Sequence, residues 1–186
     1  MAADPSERAI AAVVADLDYP MFVVTAAGGG RRAGCLVGFA SQMAISPARM
    51  LVAVSVHNHT YRVAQESPAL AVHVLGRHQM ELATLFGTRS GDEVDKFSSC
   101  RWREGPHGLP ILSDCPAWTA GPVLQRLDFG DHVGHLIAPD AGGRGGPPVE
   151  EGGGEGGGEG GGEGGAASGR LLRFSDVRHL DPGHPA

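Results

Sequence analysis

The sequence predicts a mainly β (α+β) domain, a small barrel with peripheral helices, and three observations carry that expectation. Short apolar, β-branched runs of strand length recur along the first 138 residues, helical periodicity is confined to brief stretches, and Gly or Pro punctuates many of the gaps. A chain of 186 residues with 41% hydrophobic content can bury one real core, so a single domain over residues 1–186 is expected. A doubly wound sheet is not, because the strands do not alternate with long helices.

Residues 5–16 read as an N-terminal helix and residues 21–25 as a strand. Gly28, Gly29 and Gly30 mark a turn, and residues 33–39 form the next strand. The apolar run 50–56 is a third strand; Asn58, His59 and Thr60 follow it directly and precede a short helix at 61–66. Residues 70–75 are a strand. The clearest helix is 78–86, where Met80, Leu82, Ala83, Leu85 and Phe86 supply an apolar stripe and Gly87 stands at the expected C-terminal stop. Residues 118–127 and 132–138 read as strands, and residues 171–180, LLRFSDVRHL, as a strand returning to the body.

Residues 142–169 interrupt this pattern. They hold 16 of the 30 glycines, no aromatic residue and a GGGE repeat, a composition that cannot bury enough apolar surface to offset its ordering entropy. A disordered Gly/Glu-rich insert between the last two strands is expected, with an r.m.s. span of about 30 Å as a flexible coil. Because closure entropy grows only logarithmically with length, such an insert is tolerated. It also explains the charge. The net of −6 includes five Glu and one Arg inside the insert, which leaves −2 for everything else. With no basic stripe and no aromatics interleaved with Lys or Arg, nucleic-acid binding has no electrostatic footprint.

No apolar run approaches the length that crosses a bilayer, so no membrane partner is expected. The N-terminus MAADPSERAI is acidic and lacks the basic start and apolar core of a secretory signal, which points to the cytoplasm. Cys35, Cys100 and Cys115 are odd in number and widely spaced, and read as buried free thiols.

The chemistry-bearing segment is residues 34–60. A strand that ends at Ser55 and runs through Val56, His57 and Asn58 into a helix offers unpaired backbone N–H groups and partial positive charge, where a phosphate can dock. Ser55, Asn58 and Thr60 would add side-chain donors, although on spacing alone the plain helix cap is the favoured reading of these residues, since caps are commoner than ligand sites. Competing motifs lack their required context. Gly28, Gly30 and Gly34 follow a strand but open no helix of useful length, and no acidic residue ends the next strand. Arg31 and Arg32 read most simply as a solvated turn, with contact of one of them to a cofactor phosphate left open. His57 and His59 share a strand face without a third ligand at convincing spacing, so no metal site is expected, and no G-x-S-x-G elbow occurs.

An ordered set of short motifs resembles the flavin reductase family, the FMN-binding split β-barrel proteins. The matching residues are Val23, Val24 and Thr25; Gly34, Phe39, Ser41 and Pro47; Ser55 to Thr60; Phe86 and Gly87; Asp95, Lys96 and Phe97; the 108–112 stretch GLPIL; and Gly130, Asp131 and His132. The resemblance implies an NAD(P)H-dependent flavin reductase that transfers a hydride to FMN, with FAD as the other flavin it admits. The backbone of Gly34, Cys35, Leu36, Val37 and Gly38 would pass the flavin ring, with Gly38 permitting close approach. Ser41 and the loop Ser55, Val56, His57, Asn58 and Thr60 would hold ribityl and phosphate, and Lys96, beside Phe97, would supply charge to the nucleotide. His132 would place the reductant or stabilise reduced flavin. The resemblance also implies a homodimer with flavin near the subunit interface, and reduced flavin passed to a separate monooxygenase. The chain departs from the family where relatives carry hydroxyl side chains, having Leu36, Val37 and Gly38 instead. This keeps open a flavin- or deazaflavin-dependent oxidoreductase with its own substrate, and a non-catalytic flavin-binding protein. A strand histidine bonded to a neighbouring loop also stays open for His132, and a surface pair of little worth for Asp95 and Lys96.

Overall fold

Two glycines at positive φ close the first hairpin. The computed structural model describes residues 5–144 and 171–183. In it, strand β1 (Phe22–Gly28) and strand β2 (Arg31–Val37) pair from Phe22↔Val37 to Gly28↔Arg31, and the turn residues Gly29 and Gly30 have φ of 57° and 72°. A two-residue turn with both φ positive matches the right-handed twist of the strands it joins, and glycine adopts it without strain.

The chain continues through β3 (Ala40–Ala44), β4 (Arg49–Ser55), α2 (His59–Glu66), β5 (Ala69–Val74) and α3 (Met80–Thr88), after an N-terminal α1 (Pro5–Val14). Then come a 3-10 turn at Lys96–Ser99, a small hairpin of β6 (Trp102–Glu104) and β7 (Pro110–Leu112), the long β8 (Ala117–Asp128), β9 (His132–Ile137), β10 (Ala141–Arg144) and a short α4 (Phe174–Val177). The main sheet is antiparallel in the order β2-β1-β5-β8-β9-β4-β3, with β10 also on β8.

β8 makes the barrel. Residues 117–122 pair with β5 and residues 123–128 with β9, with an irregularity between Val123 and Gln125 where it changes partner. Pro122 sits at this change, and Gly121 beside it packs so closely that a Cβ would lie 2.0 Å from the Ala138 carbonyl oxygen. β2 and β3, separated by only Gly38 and Phe39, end the sheet path at opposite ends. The curled sheet therefore returns to its start without closing, and the outer edge of β2 pairs with no strand among the described residues. This is a split β-barrel with peripheral helices, as the sequence and the family resemblance implied.

β1 alternates between two buried layers. Val24 and Ala26 join Cys35, Val37, Val52, Val54, Leu70 and Ile137 in the barrel interior, which α2 plugs with Val63 and Ala64. Met21 and Val23 face the other way, against Phe86, Phe97, Leu112, Leu172 and Val177. α1 buries no residue.

Four sequence expectations need correction. β3 was not foreseen, because ASQMA has only its two terminal alanines partly buried and lacks a period-two apolar signal. Gly87 does not stop α3, which runs on to Thr88; a Cβ there would come 3.1 Å from Leu36 Cδ2, so the glycine serves close packing of helix on strand. Residues 171–180 are not a strand. Leu171 and Arg173 make single bridges to Gly76 and Pro20, and the chain then turns into α4, where Asp176 accepts a hydrogen bond from the Arg173 N–H at 3.0 Å. Gly142, Gly143 and Arg144 belong to β10, against Thr119, Trp118 and Ala117, so they are not part of an insert; residues 145–169 of that segment lie outside the described residues. Among the described residues, no helix is long and apolar enough to cross a membrane.

Candidate functional site

The split in the barrel places two concavities at the two ends of the β2 edge. Near its end a cleft of about 470 Å³ is bounded by Gly38 to Ser41, Leu51, Ala53, Tyr19, Phe129, Asp131 and His132. Near its start a cavity of about 780 Å³ lies among the β1–β2 hairpin, the 91–97 segment and the β6–β7 hairpin. Gly34 lies at the second and Gly38 at the first, so four residues of strand, about 13 Å, separate them.

At the cleft, His132 opens β9 directly across from Ser55 at the end of β4. Its ring lies edge-on to Phe39, with centroids 5.2 Å apart, and its Nδ1 is 3.0 Å from Asp131 Oδ1. That hydrogen bond holds the Asp131 carboxyl below its ordinary range. The Val56 N–H donates to the Asp131 carbonyl at 2.9 Å and ties the β4–α2 loop to the start of β9. Ser41 is exposed, its hydroxyl bonded to the Gln42 carbonyl. A Cβ on Gly38 would meet Tyr19 Cε2 at 2.4 Å, so the requirement for glycine there is already set by the chain's own Tyr19.

The loop after β4 is built around Asn58. Its Oδ1 accepts the Thr60 N–H at 2.9 Å and caps α2, so this side chain is engaged in the cap. His57 is exposed, and its N–H lies 3.4 Å from Ser55 Oγ. Thr60 is buried, its side chain beside the Cys35 thiol, which burial pushes up to about 11 against the lowering effects of the Thr60 hydrogen bond and Lys96. Cys35 and Val37 point into the barrel core, and Leu36 faces α3, so these three offer a ligand backbone only.

At the cavity, Lys96 is 4% exposed, and its ammonium donates to the Gly34 carbonyl at 3.1 Å and the Phe86 carbonyl at 3.2 Å. Asp95 positions it by capping the 3-10 turn, accepting the Phe97 N–H at 3.0 Å. Lys96 and Asp95 are thus not a surface pair. Burial depresses the Lys96 pKa, and among the described residues it has no carboxylate partner. Phe97 is buried edge-on between Phe86 and Trp102.

Sequence reasoning missed His59, Arg62 and Asp92. His59 Nδ1 lies 2.8 Å from Asp92 Oδ1, and Arg62 donates to the same carboxylate. Arg62 first, then His59, hold the Asp92 carboxyl down at about 2. The triad fastens the start of α2 to the 91–95 segment. Only the three-residue spacing of His59 and Arg62 was visible in the sequence; Asp92 is thirty residues away. Arg31 and Arg32 are exposed beside the first hairpin turn, where Arg31 pairs with Glu66 at 2.9 Å and the Arg32 guanidinium lies 4.8 Å from the centre of the Trp102 ring.

Residues 14–138 match the family model of the flavin reductase like domain. The chain belongs to the flavin reductase-like family. It is 28% identical over 119 residues to a ferric-chelate reductase (NAD(P)H) of Archaeoglobus fulgidus, covering 63% of this chain and 70% of that protein. It is 27% identical over 127 residues to an FMN reductase (NADH) of Pseudomonas syringae, covering 68% and 71%. It also matches a high molecular weight rubredoxin of Moorella thermoacetica at 30% identity over 118 residues, spanning 62% of this chain and about half, 52%, of that protein. Among solved structures, the Streptomyces globisporus NADH:FAD oxidoreductase has a TM-score of 0.68 at 24% identity, covering 77% of this chain and 86% of that one, a likeness of fold. This flavin reductase-like chain therefore shares its fold with that solved oxidoreductase.

Proposed function

We propose that this flavin reductase-like protein is an NAD(P)H-dependent flavin reductase acting on FMN or FAD in the cytoplasm. The observation that carries the reading is the unpaired β2 edge, which runs from the Lys96-anchored Gly34 to the Gly38 end beside His132. A flavin nucleotide fits these residues: an open strand edge supplies backbone donors and acceptors to a ring's polar rim, and a buried ammonium without a counter-ion suits an anionic group. When bound, the flavin supplies the chemistry by accepting a hydride from the nicotinamide.

The chain's residues bind and orient. The backbone of Gly34, Cys35, Leu36, Val37 and Gly38 lines the ring's edge, Lys96 contributes charge with Phe97 packed behind it, and the loop from Ser55 through Val56, His57 and Asn58 faces the ribityl and phosphate, with Ser41 at the cleft. Because Nδ1 of His132 is held by Asp131, Nε2 is the atom left to hold or move a proton at the cleft. The three free cysteines support a reducing compartment.

The deciding test is anaerobic bleaching of FMN or FAD absorbance by NADH or NADPH in the presence of the protein. Protein-dependent bleaching is expected; flavin binding without bleaching by any pair would favour a deazaflavin enzyme or a flavin carrier. His132→Ala is expected to slow bleaching at least about tenfold while flavin affinity changes much less, and an unchanged rate would remove His132 from the site.

The proposal includes a homodimer. Phe39, Met43, Leu124, Leu127 and Phe129 are 57%, 57%, 47%, 38% and 55% exposed around the cleft and the outer half of β8, an apolar surface that a second copy would cover. Light scattering is expected to give twice the chain mass, and a monomer at micromolar concentration would count against a cleft completed by a partner. A relative, the reductase component of a 4-hydroxyphenylacetate 3-monooxygenase from Salmonella typhimurium, is 25% identical over 126 residues. It supports the reading that reduced flavin made here supplies a separate monooxygenase.

A further inference from the structure

Helix α1 carries an apolar stripe that nothing among the described residues covers. Ile10, Val13 and Val14 stand at i, i+3 and i+4, and Leu17 follows at i+7, so the four share one face. All four are exposed, and α1 buries no residue. A ten-residue helix, about 15 Å long, is marginal in water by itself, and this one ends in two β-branched valines. Its stability has to come from packing that face against another surface.

The root of the helix is fixed beside the cleft. The Asp18 carbonyl accepts from Arg173 Nη1 at 2.7 Å, Asp18 Oδ1 accepts the Ser175 N–H at 2.9 Å, and Tyr19 stacks on Phe174 with ring centres 5.0 Å apart. Tyr19 is also a wall of the cleft, so α1 leaves the body at the cleft's edge. Phe129, another wall of the cleft, belongs to a second exposed apolar surface, which the sheet register assembles. Leu127 lies opposite Gly134, and Gly134 opposite Ala53; Phe129 packs over Gly134, where a Cβ would meet its ring at 2.5 Å. Leu124 extends this surface along β8, and Leu124, Leu127 and Phe129 are all exposed.

The composition of residues 145–170 does not suit them to cover the stripe: Val149 and two prolines are their only apolar side chains larger than alanine's. A membrane surface does not match it either, because residues 4–18 carry four carboxylates and one arginine, whereas interfacial helices are rich in Lys and Arg. A second copy of the chain offers the matching surface. Two-fold symmetry uses the contact twice, since the helix of each copy meets the patch of the other. The seven large apolar side chains that each copy then contributes suit the apolar centre of an interface of about 20–30 residues a side. We infer that α1 is an exchanged arm, whose Ile10, Val13, Val14 and Leu17 face seats on the Leu124, Leu127 and Phe129 surface of a second copy, along the rim of that copy's cleft. The inference rests on the homodimer proposed above and adds which surfaces form it.

The test uses two charged variants of the full chain: Ile10→Glu with Val13→Glu on the arm, and Leu124→Lys with Leu127→Lys on the patch. Each is expected to be monomeric by light scattering at a concentration where the parent is a dimer, with the dissociation constant raised at least about a hundredfold. Both should keep the parent's far-ultraviolet circular dichroism in the strand region, because the arm side chains bury nothing in their own chain and the patch side chains are exposed. Mixed in equal amounts, the two variants are expected to regain the dimer mass. In the mixed pair one intact arm meets one intact patch, and the Glu arm meets the Lys patch. Either variant remaining as dimeric as the parent would overturn the inference. So would a mixture that stays monomeric, which means that arm pairs with arm or patch with patch. A parent that is monomeric at high micromolar concentration defeats the homodimer and the exchanged arm together and leaves the stripe to a different protein. FMN titration and bleaching of the parent keep the flavin-reductase reading separate, because that reading is decided by absorbance whatever the mass.

Discussion

Lys96→Met is expected to weaken FMN binding about tenfold or more while leaving stability within about 2 kcal/mol of the parent. The two halves of this expectation come from one observation. Lys96 is buried, donates only to the Gly34 and Phe86 carbonyls, and lies 5.4 Å from the centre of the Phe86 ring without a carboxylate partner among the described residues. A buried charge of this kind burdens the empty fold, so an apolar side chain of similar length removes the desolvation penalty even as it leaves two carbonyls without a donor. The stability terms oppose each other; the binding terms do not, because methionine offers an anionic ligand nothing. FMN titration and urea unfolding of the same variant check both. A folded variant that binds FMN like the parent would leave Lys96 as a strut between β2 and α3.

The second large effect is acid sensitivity. His73 is wholly buried on β5, its Nδ1 3.0 Å from the Val23 carbonyl and its Nε2 accepting the Leu112 N–H at 3.2 Å. This pattern requires the neutral ring, and burial lowers its pKa to about 4. In the unfolded chain it takes up a proton near its ordinary value of 6.5. The stabilisation is therefore complete above about pH 6.5 and is lost as pH falls toward 4, by about 3 kcal/mol for this one group. His135 on β9 behaves alike: its ring is buried, and burial first, then the Arg126 charge, lower its pKa to about 4. Together they represent a large share of an ordinary domain's stability. Urea midpoints at pH 7.5, 6 and 4.5 should fall steeply, and His73→Gln, which cannot titrate, should be less stable at neutral pH but show a visibly shallower fall. A parallel decline in that variant would remove His73 as the cause.

Much of the framework was legible because its signals are local. The β-branched runs of β1, β4 and β5 alternate within a few residues, three successive glycines mark the first hairpin, and Asn58 announces the helix that it caps. Where local signals were weak the reading slipped. β3 carries little apolar pattern, and LLRFSDVRHL suits a strand as well as an extended pair of residues followed by a helical turn. Whether Gly87 ends a helix or packs under Leu36 depends on what crosses it, which no neighbouring residue reveals.

The candidate site divides in the same way. Chain order and residue type identified the segment 34–60, Lys96 and His132, and with them the family. Folding determined what each residue is free to do. Lys96 meets Gly34 across 62 positions, Asp92 reaches His59 and Arg62 across about thirty, and Arg32 lies on Trp102 only because two hairpins converge. By itself the sequence determined the class of fold, the family and the six longer strands, β1, β2, β4, β5, β8 and β9, since periodicity and turn chemistry act over a few residues. Only the tertiary structure decided that β8 divides the sheet, that Cys35 and Thr60 are buried together, and that two concavities flank one open strand edge. Those outcomes depend on which distant surfaces exclude water from each other, and that is a property of the packed chain.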